Sequence, residues 1–138
     1  MNIPQNFHIA VKAVIIKNDK ALVLKEVDRF NGFDLPGGKI DEGESIDQAL
    51  KRELDEELGL KEFEMGDLLH VYERTDYKKE NISLMLVFYK VSTGDFDVIL
   101  SEEHTEYKWI SKEELAEMAA NSMLRNDGVK VAIEMVLK

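Results

Sequence analysis

Residues 7–17 are rich in Val, Ile and Ala and read as a strand, and Asn18-Asp19 supplies a turn into a second strand over 21–26. The two make a hairpin. Residues 27–34 are polar and read as a loop. They lead into Leu35-Pro36-Gly37-Gly38, where proline fixes φ and the glycines permit tight backbone paths. Residues 45–58 carry the strongest helical pattern: Ile46, Leu50, Leu54 and Leu58 recur at i+4 and form one apolar stripe. Ser45 with Gln48 makes a capping box at the start, and Gly59 is a natural stop. Two longer strands are predicted around 63–77 and 82–91, the second holding the apolar run Leu84-Met85-Leu86-Val87-Phe88-Tyr89, which fits a central strand buried on both faces. A short strand at 107–110, a capped helix at 111–120 and an amphipathic helix at 126–137 complete the chain. Strands interleaved with a few helices predict a sheet covered by helices.

Composition narrows the picture. With 138 residues, 44% of them apolar and 33% charged, the chain fits one globular domain able to bury a core. It has no internal repeat, no apolar window of membrane-spanning length and no secretory leader pattern. The absence of cysteine excludes thiolate nucleophiles and sulfur-built zinc sites, and suits the cytoplasm. A formal net charge of −10 disfavours a nucleic-acid polymer as partner. It leaves a small phosphorylated ligand open, because a bound cation inverts the local field.

The position of the acids matters more than their number. In Arg52-Glu53-Leu54-Asp55-Glu56-Glu57, helical geometry brings Glu53, Glu56 and Glu57 within an arc of about 100° beside the apolar stripe. Taken alone, such a triplet is a solvated acidic face with Lys51 and Arg52 as ion-pair partners. Its setting argues otherwise. Gly37-Gly38 and a turn centred on Gly43 precede the helix, so backbone carbonyls can approach a cation held by the same acids. Hard divalent cations take such oxygen ligands together with substrate phosphates.

Residues 38–60, GKIDEGESIDQALKRELDEELGL, resemble the signature of the Nudix hydrolases, G-x5-E-x7-R-E-U-x-E-E-x-G-U with U aliphatic. Gly38, Glu44, Arg52, Glu53, Leu54, Glu56, Glu57, Gly59 and Leu60 meet it without departure. A chance match in a chain of this length is on the order of one in a million. The resemblance implies an α/β fold, an α/β/α sandwich with a central mixed β-sheet, and Mg²⁺-dependent (or Mn²⁺-dependent) cleavage of a phosphoanhydride in a nucleoside diphosphate linked to another moiety. It implies Glu53, Glu56 and Glu57 as metal ligands, with the Gly37 carbonyl as a further one. Glu44 and Arg52 would brace the helix against the loop. A carboxylate must accept the proton of the attacking water, and the candidates are Glu56, Glu53 and an acid outside the box. Residues 101–110 resemble the family's downstream acid-before-Trp stretch, which selects Glu103 over Glu102 and Glu106 as metal ligand and base. His104 is set aside as a solvent-facing loop residue.

The substrate is less legible. Phe33, where relatives carry Trp, is read either as a ring for stacking a base or as packing beneath the loop. Tyr77 lies 17 residues beyond Leu60, a spacing that resembles the diadenosine polyphosphate hydrolases. Arg29 and Arg74, with Lys78 and Lys79, are candidates to meet phosphates, and Trp109 is expected in the core. The leading expectation is a (deoxy)nucleoside triphosphate pyrophosphohydrolase of MutT type, with a dinucleoside polyphosphate hydrolase as the alternative. A catalytically inactive nucleotide sensor is the reading from another class, and complete retention of the acids argues against it. A simple acidic Ca²⁺ module leaves Gly38, Arg52 and Gly59 unexplained. A homodimer is expected by resemblance only.

Overall fold

The computed structural model describes residues 2–27 and 32–137, with backbone only at 76–79. Strand β1 (Asn6–Lys17) turns through Asn18 and Asp19, both in the left-handed region, into β2 (Lys20–Glu26). That two-residue turn matches the twist of a tight hairpin. Two short strands follow, β3 (Phe33–Asp34) and β4 (Gly37–Lys39), then helix α1 (Ile46–Leu58). Strands β5 (Glu64–Lys79) and β6 (Ile82–Ser92) form a long hairpin, followed by β7 (His104–Ile110), α2 (Lys112–Ala120) and α3 (Asp127–Glu134).

The sheet is mixed, in the order β3-β2-β1-β6-β5. β1 runs parallel to β6 from Asn6 beside Ile82 to Ile15 beside Val91. Its other edge is shared: Ala10 to Lys12 pair with β4, whereas Ile16 and Lys17 pair with β2. β2 is thereby freed to pair with β3 and β7. Residues of β1 alternate between two cores. Val11, Ala13 and Ile15 pack with Leu50, Leu54 and Leu58 of α1. Ala10 and Val14 pack with Leu115 of α2 and Val129 and Ile133 of α3. This is the expected α/β/α sandwich.

Several boundaries differ from the periodicity reading. Phe33 and Asp34 form a short strand because β2 offers them a free edge, so the polar loop is shorter than expected. β7 starts three residues early, paired along β2, and α3 stops at Glu134. Strand β6 is central, but its buried residues are only Ser83 and Val91 near its ends and Leu86 and Phe88 on one face. Met85, Val87 and Tyr89 on the opposite face are half-buried, because α1 covers only part of that side. Trp109 is likewise half-buried, edge-on to Phe96 on the α1 side.

Candidate active site

Helix α1 begins where the sequence says it should: Ser45 caps it through the Gln48 N–H, and Gln48 returns a bond to the Ser45 N–H. Gly59 ends it at φ +69°. Between these caps the i+4 stripe fixes the helix rotation, so the acidic arc meets β4.

Glu57 is the most deeply placed acid of α1, 6% exposed. Its Oε2 accepts the Gly37 N–H at 2.7 Å, and its Oε1 lies 3.4 Å from His104 Nε2. Burial pushes the carboxyl up to about 8, against the pull of the Lys12 ammonium and the Gly37 N–H, with Glu53 and Asp34 adding repulsion. Glu53 is half-buried, and burial raises its pKa too, although Arg52 opposes the shift. The Glu53 carboxylate lies so close to Gly38 that a Cβ there would stand 2.5 Å from Oε1. The glycine requirement at 38 is therefore a matter of room for this acid. Gly37 has φ +136°, and a Cβ on it would overlap the Val11 carbonyl.

Arg52 ties the helix to the preceding loop. Its Nε and Nη2 grip both oxygens of Glu44 at 2.8 and 2.9 Å, its Nη2 reaches the Lys39 carbonyl at 3.2 Å, and its Nη1 donates to Glu53 at 2.9 Å. The Arg52 guanidinium and the Asp41 N–H hold Glu44 at about 2. Glu56 is exposed, 3.5 Å from Arg52 Nη1, and does not line the cavity described next.

A cavity of about 490 Å³ opens over these groups. Glu53, Glu57, Gly37 and Gly38 form one end, Glu103 faces it from the loop before β7, and Arg74 and Arg125 lie on the wall. Glu102 and Glu106 do not reach the cavity. Among the described residues, no three carboxylate or imidazole side chains already stand at coordination distance, since Glu53 and Glu56 are drawn to Arg52 instead. The donor types nevertheless fit a hard divalent cation. Glu53, Glu57 and Glu103 bring only oxygen to one cavity, and the buried charge of Glu57 is the kind that a cation stabilises.

Three residues at this site escaped the sequence reading. His104 is buried rather than solvent-facing, its Nδ1 3.2 Å from Ser101 Oγ, and burial lowers its pKa. Lys12 and Asp34 form a buried ion pair of 3.1 Å at the cavity floor. Burial pulls the Lys12 pKa down, but Asp34, Glu57 and Glu26 outweigh it and the net shift is upward. A lysine inside the apolar run of β1 was the available signal. Phe33 goes the other way: its ring is 2% exposed in the core with Lys108 Nζ 5.5 Å above it, so it packs and offers no face for stacking a base. Tyr77 lies in β5, its side chain outside the described residues, and Arg29 lies outside them altogether.

The sequence matches the NUDIX domain family over residues 6–128. It is 31% identical over 123 residues to the nucleoside triphosphatase NudI of Escherichia coli O81 (strain ED1a), covering 80% of this chain and 87% of that protein. The NudI of Salmonella heidelberg (strain SL476) is 31% identical over 114 residues, 74% of this chain and 81% of the relative. Among solved structures, the MutT protein from Methanosarcina mazei Go1 superposes with a TM-score of 0.77 at 27% identity, over 96% of this chain and 94% of that one. A C. elegans Ap4A hydrolase gives 0.75 at 21% identity over 93% of each chain, a likeness of fold alone.

Proposed function

Because this chain belongs to the Nudix family and is a pyrophosphohydrolase of it, we propose that it hydrolyses a phosphoanhydride of a nucleoside triphosphate, with Mg²⁺ as its cation and Mn²⁺ as a substitute. The observation that carries this reading is Glu57, a carboxylate buried at the end of a cavity it shares with Glu53 and Glu103. The relatives named nucleoside triphosphatase point to the same substrate class.

Glu57, Glu53 and Glu103, with the Gly37 carbonyl, would hold the cation, and Glu56, outside the cavity beside Arg52, would join them only by turning away from that arginine. When bound, the cation lowers the pKa of water and neutralises phosphate oxygens. The residues do the rest. Gly37 N–H and His104 fix the two oxygens of Glu57. Arg52 positions Glu53, and Glu44 positions Arg52. Glu103 faces them across the cavity and is the acid we assign to accept the water's proton. Arg74, which lines the cavity, would meet the phosphates.

A second reading, a dinucleoside polyphosphate substrate, has one observation in its favour. A smaller cavity of about 290 Å³ shares Arg74, Arg125 and Asn126 with the first and adds Lys130, giving polar room for a longer phosphate chain. Chromatographic quantification of the nucleotide products from a panel of dNTPs, 8-oxo-dGTP, diadenosine tetraphosphate and ADP-ribose ranks the two. Triphosphates are expected to lead. A preference of tenfold or more for the dinucleotide would favour the second reading, and no turnover on any member would sink both. Glu57→Gln and Glu53→Gln are each expected to cut turnover by orders of magnitude with the fold intact. Glu103→Gln is expected to cost roughly 10²–10⁴-fold in kcat. Near-normal rates in these variants would remove the assignments.

A further inference from the structure

The cavity has a second chemical character away from its acids. Its floor is the sheet itself: Ala10 and Lys12 of β1 lie beside Leu86 and Phe88 of β6, and alternation along each strand turns Ala10, Lys12, Leu84 and Leu86 to the same side. Leu84, partly exposed, with the edges of the buried Ala10 and Leu86, gives the lining its apolar part, and Lys12 and Asp34 line the same cavity as Glu57. An apolar surface with a few convergent polar groups is the usual lining for a flat heterocycle.

A buried ion pair contributes little to stability over a well-packed apolar pair, so its presence at a cavity floor calls for another reason. The geometry leaves it able to act on a ligand. Lys12 Nζ donates to Asp34 Oδ2 at 3.1 Å and to the Leu35 carbonyl at 3.3 Å, which accounts for two of the ammonium's three N–H groups. Asp34 Oδ1 accepts the Leu35 N–H at 2.7 Å, leaving each carboxylate oxygen a further lone pair. A donor and an acceptor thus stand side by side, held rigidly by one backbone segment. Lys12 already has the Asp34 carboxylate as its counter-charge at 3.1 Å, so the pair as a whole is neutral and does not call for an anionic ligand such as a phosphate. A neutral edge carrying an acceptor beside an N–H matches such a pair.

We propose that Lys12 and Asp34 read the edge of the substrate's nucleobase, Lys12 donating to a ring acceptor and Asp34 accepting a ring or amino N–H, while the ring lies against Leu84 and the edges of Ala10 and Leu86. The inference rests on the nucleotide reading above and adds the residues that choose among bases. A pair reading an edge fails when that edge is altered, whereas a pair that only braces the 34–37 segment affects every nucleotide alike.

The test measures kcat/KM for the four dNTPs with the wild-type protein, Lys12→Met and Asp34→Asn, with thermal melts alongside. The wild type is expected to spread the bases by tenfold or more, and each variant to narrow that spread by on the order of tenfold. N1-methylguanosine and N3-methylthymidine triphosphates against their parents probe the same edge without touching the protein, which covers a variant that fails to fold. Loss of on the order of tenfold or more in kcat/KM on methylating the preferred base is expected. A flat base profile in the wild type, indifference to methylation, or variants that slow all four bases equally would overturn the proposal. Failure of every nucleotide with the wild type would overturn the nucleotide reading itself.

Discussion

Glu57 binds its proton more tightly in the folded protein than in the unfolded chain, since its pKa rises from the ordinary 4.5 to about 8. The sign follows from linkage. The stability contributed by this group is complete below pH 4.5 and is lost as pH climbs through about 8. Metal-free protein is therefore expected to melt at lower temperature at pH 8.5 than at pH 6, and Glu57→Gln should flatten that slope. A divalent cation needs the ionised carboxylate, so the thermal shift on adding Mg²⁺ should grow over the same interval. A shift independent of pH would contradict the placement of Glu57 among the ligands. Arg52 gives a second test. Replacing its fork with the single ammonium of Arg52→Lys removes the two-point grip on Glu44, with an expected loss of about 10–100-fold in activity or metal affinity and little change in fold. Glu57 and Arg52 were legible because their spacing on one helix is a local property. Lys12, Asp34 and His104 were not, because the burial of a polar residue is decided by partners twenty or more positions away, such as Leu35 for Lys12 and Glu57 for His104.

Helix α1 was read almost to the residue because its signals are internal: a cap, a stripe and a stop glycine. Ser45→Ala should cost about 1 kcal/mol, measured by denaturant unfolding. β3 and β4 carry no comparable signal. Two or three residues cannot show a period, and their pairing depends on how β1 divides its edge between β2 and β4. Gly37, within β4, makes the local geometry testable. Gly37→Ala forces a side chain into φ +136° and onto the Val11 carbonyl, so a loss of about 1–3 kcal/mol from backbone strain is expected, with more from the clash. Because the Gly37 N–H holds Glu57, activity should fall further than stability alone accounts for.

The sheet carries separate cores on its two faces, so the molecule can be probed from either side. Leu54→Ala, on the face that carries the acids, should cost 2–5 kcal/mol by the usual range for such truncations. β5 is the outer strand and exposes Leu68 and Val71, and the homodimer expected by resemblance is tested by sedimentation of the whole chain. None of the described helices is long and apolar enough to cross a membrane. The parallel pairing of β1 with β6 has a kinetic consequence. Ten consecutive partners join residues 6–15 to residues 82–91, so the first strand has no long partner until most of the chain exists. Closing that loop costs entropy before any contact repays it, which makes refolding slower than that of a helical bundle. The cavity floor sits on that same pair, so a chain emerging from the ribosome cannot bind its nucleotide until β6 is made.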